Sequence, residues 1–322
     1  MGTKYTILIT GCAGFIGSHL TDFLLSEGHS VVGIDCFDAF YSRAIKEQNL
    51  TPALANPRFK FYENDITDDS FWQNLSEKID VVVHLAAKAG VRPSLEDPSA
   101  YINTNIKGTQ LLLDWMVKTG VKKLAFASSS SVYGDNQKVP FAETDSVDNP
   151  ISPYAFTKKA GELLNHTYHH LYGLDIINLR FFTVYGERQR PDLAIHKFTK
   201  LMLAGQPISM YGTGSTARDY TYVADTVQGI VGAINYLQQN NNVFEIVNLG
   251  NSSPTTLQKL VETLYELTEQ SSNINYLPMQ PGDVERTFAD VQKAKNLLGY
   301  SPKTSMEQGL KRFVNWYKTN HA

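Results

Sequence analysis

Thr10-Gly11-Cys12-Ala13-Gly14-Phe15-Ile16-Gly17 is the stretch that decides the fold. Before it, residues 5–10 form an apolar run that reads as a strand. After it, in residues 18–26, Leu20, Phe23 and Leu24 fall on one helical stripe that stops at Gly28. Three glycines spaced Gly-x-x-Gly-x-x-Gly between strand and helix make a turn tight enough for a ligand to approach the backbone. They also leave the first amides of the helix, around Phe15 and Ile16, aimed at that ligand. A diphosphate fits this description, and the strand-turn-helix context makes a dinucleotide the expected owner of it. Asp35 ends the next apolar run, residues 30–35, near the roughly 20-residue offset where an acid holds ribose hydroxyls. A carboxylate there repels a ribose phosphate, so NAD is expected rather than NADP, with Arg43 too far along the chain to reverse that preference.

Outward from this turn the same alternation continues. Apolar runs at 59–65, 80–85, 123–127 and 174–180 are interleaved with helical patterns at 99–119 and 153–171. Runs such as Val81-Val82-Val83, apolar on both faces, suit a parallel sheet covered by helices on each side. The expected class is therefore α/β, a doubly wound parallel sheet of Rossmann type. Past Phe181 the alternation breaks at Gly205, Pro207, Gly212 and Gly214, then resumes with a helix near 224–237 and a strand at 244–249 that should rejoin the sheet. The expected division is 1–182 plus 224–251 for the dinucleotide domain, with 183–223 plus 252–322 as a second, smaller α/β substrate lobe.

Composition narrows the classes of function. With 322 residues, 42% hydrophobic and 19% charged, the chain has the make-up of a folded globular protein. A net charge of -3 offers nothing global to nucleic acid or an anionic membrane, and neither is an expected partner. Cys12 and Cys36 are too few for a disulfide framework, the amino-terminal segment carries no secretory pattern, and a cytoplasmic protein is expected. His166, His169 and His170 have helical metal-ligand spacing without an acidic or thiol partner, so no metal is expected.

Chemistry is suggested by Tyr154 and Lys158, four apart at the start of a helical segment and so on one face of it. A phenol ionises near 10, and an adjacent ammonium lowers it toward neutral pH, which makes the pair a candidate acid/base couple. Ser128, Ser129, Ser130 and Ser131 follow the fifth strand. Their hydroxyls are candidates to bind a substrate oxygen, and no carboxylate lies between Ser128 and Val132.

Taken together, the glycine turn, Asp35, Asp65-Ile66, His84-Leu85-Ala86-Ala87, Asn105, Ser128-Ser129, Tyr154 with Lys158, and Leu179 through Phe182 resemble the extended short-chain dehydrogenase/reductase superfamily. The resemblance covers nearly the whole chain and is to its nucleotide-sugar epimerase/dehydratase branch. It implies a resident NAD held by Gly11, Gly14, Phe15, Ile16, Gly17, Asp35, Asp65, Ile66, Leu85, Ala86, Ala87, Asn105, Tyr154, Lys158 and Phe181. It also implies catalysis by Ser129, Tyr154 and Lys158. Relatives that dehydrate or decarboxylate their sugar carry an acid where this chain has Ser130 and Ser131. Without that acid, oxidation at C4 leads only to reduction from one face or the other, which is 4-epimerisation.

The stretch from Arg180 to Ala194 is similar to UDP-glucuronate 4-epimerases, with Thr183 where UDP-galactose 4-epimerases commonly have Asn. That likeness implies a UDP-sugar partner contacted by Ser129, Ser130, Thr183, Arg190, Lys197, Tyr211, Arg218, Asp283 and Arg286, the segments at His196-Lys197-Phe198 and 207–211 lying near the nucleotide. UDP-glucuronate to UDP-galacturonate is the expected reaction. The alternatives are a UDP-glucose/UDP-galactose or UDP-N-acetylhexosamine 4-epimerase, a UDP-glucuronate decarboxylase, and a non-catalytic NAD-binding protein. Family members usually pair through two helices, here the segments 99–119 and 153–171, so a homodimer is expected.

Overall fold

The computed structural model describes residues 3–278 and 284–321. Its frame is a seven-stranded sheet of β1 (Thr6–Thr10), β2 (Ser30–Asp35), β3 (Phe59–Glu63), β4 (Val81–His84), β5 (Lys123–Ser129), β6 (Asp175–Phe181) and β10 (Phe244–Leu249), in the order β10-β6-β5-β4-β1-β2-β3. Every neighbouring pair is parallel. Successive side chains of a strand face opposite sides, and here both sides are apolar. Ile7, Ile9, Val81, Val83, Ala125 and Ile177 enter one core cluster, whereas Leu8, Val82, Leu124 and Ile176 enter the other. The strand order reverses between β1 and β4, so a crevice opens at their carboxyl ends, where doubly wound sheets bind their ligands.

Among the described residues, twelve α-helices flank the strands: α1 (Phe15–Ser26), α2 (Arg43–Leu54), α3 (Asp69–Asn74), α4 (Val91–Glu96), α5 (Pro98–Tyr101), α6 (Gly108–Thr119), α7 (Pro153–Tyr172), α8 (Ala194–Leu203), α9 (Val223–Gln239), α10 (Leu257–Thr268), α11 (Gln292–Leu298) and α12 (Met306–Asn320). Helix α1 starts inside the glycine turn, three residues earlier than the stripe of apolar residues suggested. The single helix expected over 99–119 is in fact three pieces, because a π-helical segment, Ile102–Lys107, joins α5 to α6. The cause is visible in Asn105. Its side-chain amide donates to Lys88 O and Thr157 Oγ1 and accepts from Lys88 N, and the wider turn delivers it there. Helix α7 begins as expected, with Ser152 Oγ accepting from Ala155 N and Pro153 at its first position. Among the described residues no helix is long and apolar enough to cross a membrane.

As the pattern suggested, α9 and β10 return to the sheet: α9 packs on β5 and β6, and β10 extends the edge beside β6. The remaining strands are β7 (Thr183–Tyr185), β8 (Ile208–Tyr211), β9 (Ala217–Tyr222), β11 (Pro254–Thr256) and β12 (Ile274–Leu277). They form a three-stranded sheet, β11-β9-β7, and a parallel pair, β12-β8. One apolar cluster runs without a break from Ile7 and Leu20 through Tyr222 and Val223 to Phe313 and Tyr317. The two lobes thus share a core, and we propose 182/183, 223/224 and 251/252 as the points where the chain passes between them.

Candidate active site

The glycine turn lies where β1 meets the crevice. Gly11 has φ +75°, and a Cβ there would come within 2.8 Å of Ala86 N, so the turn rests on the loop after β4. A Cβ on Gly17 would lie 2.0 Å from Gly11 O, so helix and turn touch through backbone alone. No side chain caps α1. An uncapped helix start behind a turn that excludes Cβ atoms is a fit for a diphosphate, and the residues present suit the dinucleotide expected from the sequence. Asp35 closes the far side of the turn, its carboxylate accepting from Ala13 N (3.1 Å) and Phe37 N (2.8 Å). Burial raises its pKa against those two hydrogen bonds. Arg43 is occupied: it pairs with Glu47 (2.6 Å) and Glu63 (2.7 Å) on the surface.

On the other side of β1 a chain of side chains crosses the switch point. Thr10 Oγ1 meets His84 Nδ1 (2.6 Å), His84 Nε2 meets Thr109 Oγ1 (3.0 Å), and Thr109 donates to Asn105 O (2.6 Å). Burial and the Lys158 charge push the His84 pKa down to about 3, so the ring is neutral. Lys88, in the loop after β4, pairs with Asp38 in the loop after β2 (2.9 Å), an ion pair spanning the strand between them.

The carboxyl end of β5 and the first turns of α7 form the third part. Ser129 faces the Tyr154 phenol and receives Ser131 Oγ (3.0 Å). Burial raises the Tyr154 pKa, opposed by the Ser129 hydroxyl and by the positive charge of Arg190. The tuning charge expected from the sequence is that of Lys158; here Lys158 Nζ donates to Ala127 O (2.7 Å), and Arg190 is a second cation that bears on the phenol. Burial lowers the Lys158 pKa to about 8. Arg190 itself pairs with Asp192 (2.9 Å) and lies over the Phe40 ring, 5.2 Å from its centroid. Its loop hangs on α1, where Glu187 O meets His19 Nε2 (2.9 Å) and Arg188 pairs with Asp22 (2.8 Å).

Of the residues singled out from sequence, the structure thus gathers the glycine turn, Asp35, Ala86, Asn105, Ser129, Tyr154, Lys158 and Arg190 at one sheet edge. Phe181 is in register with Ser129, and Thr183 follows two residues on. Leu85, Ala87 and Ser130 are partly exposed in the same loops. Asp65 is exposed after β3 and accepts from Thr67, while the Ile66 side chain is buried and its carbonyl is taken by the Trp72 indole (2.8 Å).

In the smaller lobe, Arg218 and Arg286 lie on paired backbone, Ala217 bridging to Arg286, and the Arg92 guanidinium stands 5.6 Å from the Tyr211 ring. Lys197 is exposed on α8. Its neighbour His196, expected near the nucleotide, is buried among Phe313, Trp316, Tyr317 and His321 of the carboxyl-terminal segment, an aromatic packing role. Asp283 lies outside the described residues. Among those described, no cluster of His, Cys, Asp and Glu could hold a metal. His166 and His169 pack instead against Phe244.

Sequence reasoning missed Glu162. It sits one turn beyond Lys158 on α7, buried, receiving Ser128 Oγ (2.6 Å) and held bidentately by Arg180 at 2.9 Å. The signal was available, since Tyr154, Lys158 and Glu162 recur at intervals of four.

Comparison with known proteins follows the same lines. A family model described as GDP-mannose 4,6 dehydratase matches residues 8–313. A UDP-glucuronate 4-epimerase of Thermodesulfobacterium geofontis is 45% identical, the alignment covering 97% of this chain and 96% of that one. Among solved structures, UDP-glucuronic acid 4-epimerase from Bacillus cereus, in complex with UDP-glucuronic acid and NAD, superposes with a TM-score of 0.91. It is 38% identical, with 98% of this chain and 99% of that one covered. A UDP-glucose 4-epimerase from Thermotoga maritima with UDP-glucose gives 0.89 and 35%, over 98% and 100% of the two chains.

Proposed function

We propose, for a chain that belongs to the GDP-mannose 4,6-dehydratase family of extended short-chain dehydrogenases/reductases, that it is an NAD-dependent 4-epimerase interconverting UDP-glucuronate and UDP-galacturonate. The observation that carries this reading is the make-up of the reacting edge. Tyr154 and Ser129 face each other there, Ser130 and Ser131 stand where an acid would be needed for elimination, and the neighbouring carboxylate, Glu162, is turned away into a buried ion pair. The two UDP-glucuronate 4-epimerases named above support the choice of a uronate, at 45% and 38% identity against 35% for the UDP-glucose enzyme.

In the mechanism, Tyr154 as phenolate removes the proton of the sugar 4-hydroxyl, and Ser129 holds that oxygen in line. Bound NAD would supply a reversible hydride acceptor for C4. Gly11, Gly14, Phe15, Ile16 and Gly17 would hold its diphosphate and Asp35 its adenosine ribose. Asp65, Ile66, Leu85, Ala86, Ala87, Asn105 and Phe181 would complete its site. Lys158 binds the nicotinamide ribose, and its charge adds to that of Arg190 in bringing the Tyr154 phenol down. Between the two half-reactions the 4-keto sugar turns over about its diphosphate link. The hydroxyls of Ser129, Ser130 and Thr183 keep the uronate carboxylate still, which protects a β-keto acid from losing CO2. Arg190, Lys197, Tyr211, Arg218, Asp283 and Arg286 bind the nucleotide diphosphate and uridine.

Exposed Ile102, Phe156 and Leu163, on the π segment and α7, support a homodimer formed through these helices. Free Cys12 and Cys36 support a reducing, cytoplasmic setting. The test is NMR of the purified enzyme without added reductant, mixed separately with UDP-glucuronate, UDP-glucose and UDP-N-acetylglucosamine. Inversion at C4 with the C4 deuterium retained is expected from the uronate first. CO2 release, or no inverted sugar from any of the three, would sink the proposal.

A further inference from the structure

The Ser loop contains no carboxylate of its own, yet α7 brings one beneath it. Three charged side chains meet there, almost wholly buried: Lys158, Glu162 and Arg180. Arg180 grips Glu162 through Nε and Nη2 and lies over the Tyr133 ring, 4.8 Å from its centroid, while Tyr133 in turn donates to Asn248 Oδ1 (2.7 Å). Glu162 Oε1 also receives Ser128 Oγ, the residue before Ser129. A carboxylate could pair with Arg180 without touching Ser128, so the three-way junction calls for a reason beyond neutralising one buried charge.

We propose that Glu162 is a positioning residue for the reaction, its one carboxylate fastening the strand end that carries Ser129 to the helix that carries Tyr154 while supplying the negative charge one turn from Lys158. This rests on the function proposed above. Glu162 lies far along α7 from Tyr154 and acts through Ser128 and Lys158, not on the sugar.

The groups facing this cluster are few. Lys158 looks onto Ala127 O and the Phe126 ring of β5 and onto neutral His84 of β4. Glu162 looks onto Ser128 of β5 and Arg180 of β6, with Tyr133 behind Arg180. Glu162 is therefore the anion that favours the ammonium, against a burial that lowers the Lys158 pKa to about 8. Removing it leaves that ammonium with only the Ala127 carbonyl and the Phe126 ring to offset desolvation.

The holoenzyme is compared with Glu162→Gln, Glu162→Asp and the double variant Glu162→Gln/Arg180→Gln. In the double variant neither charge is left alone in the core, which keeps it folded where the single Gln variant fails. kcat for UDP-glucuronate is followed from pH 6 to 9, with KM and bound NAD, and the thermal midpoint is followed over the same range. The alkaline fall in kcat should move down by about one pH unit in the Gln variants, a loss of about fivefold at pH 8 and under twofold at pH 6, with KM within about twofold. Glu162→Asp should restore part of the shift. The rise of thermal midpoint with pH should begin about one unit lower in the double variant as well. A folded double variant whose kcat profile matches the wild type, or a loss of kcat equal at every pH, would overturn the inference. If the wild type forms no inverted sugar, the function proposed above fails. The thermal profiles then decide the Glu162–Lys158 coupling by themselves, an unshifted profile refuting it.

Discussion

The two sides of the crevice are built from different materials. Around β1 and α1 the cofactor turn is made of backbone: Gly11 against Ala86, Gly17 against Gly11, a helix start without a cap. Around β5 and α7 the reacting edge is made of side chains, with Ser128, Ser129, Tyr154, Lys158, Glu162 and Arg180 drawn from three elements and mostly buried. The first arrangement is intolerant of added atoms and has a single carboxylate, Asp35, against it. The second carries charge into a low-dielectric place, and its state depends on pH. A site that must grip one ligand permanently and transfer protons to another is well served by keeping the two apart.

If this contrast is right, Tyr154→Phe should have the largest effect and confine it to one side. Turnover should fall by about 10²–10⁴-fold while NAD copurifies as before, checked by rate assay and by cofactor content. Loss of bound NAD in that variant would break the division.

Next comes Lys158. Its folded pKa of about 8 lies below the 10.5 of an exposed lysine, so below pH 8 the buried ammonium carries its full cost, about 3 kcal/mol at roughly 1.4 kcal/mol per unit. Between those two values the unfolded chain binds the extra proton, and stability must climb as pH rises. Lys158→Met should accordingly be more stable than wild type at pH 7, with an advantage that shrinks from pH 8 upward. Denaturant melts at pH 7, 8 and 9 measure this, and a gap that stays constant contradicts it.

On the backbone side, Gly17→Ala forces a Cβ onto Gly11 O and should cost about 1–3 kcal/mol together with most of the copurified NAD, at a pH-independent level. The smallest effect is expected at the rim. Arg43→Ala should leave the preference for NAD over NADP unchanged in a binding titration, because its guanidinium is already engaged by Glu47 and Glu63.

The same contrast explains which parts could be read in advance. The glycine turn and the strands flanking it are local: each is decided by residues within one short segment, so spacing and hydrophobic pattern suffice. The π segment is not local. A helix over 99–119 is what the pattern of Leu111, Leu112 and Trp115 says, and the buckle appears because Asn105 answers to Lys88 and Thr157 from elsewhere in the chain. The spacing of Glu162 from Tyr154 and Lys158 is visible in the sequence, but its role is not, because its partners come from β5 and β6. His196 shows the reverse error, a polar residue in a plausible place whose ring is claimed by the aromatic residues of α12.

His84 carries a consequence of its own. Held between two threonines at the point where the strand order reverses, and neutral down to about pH 3, it adds no charge between the two halves of the cleft at physiological pH. Acidifying the surroundings to about pH 5 therefore places no new positive charge beside the glycine turn from this imidazole, and the space around the coenzyme keeps its electrostatic character on that flank.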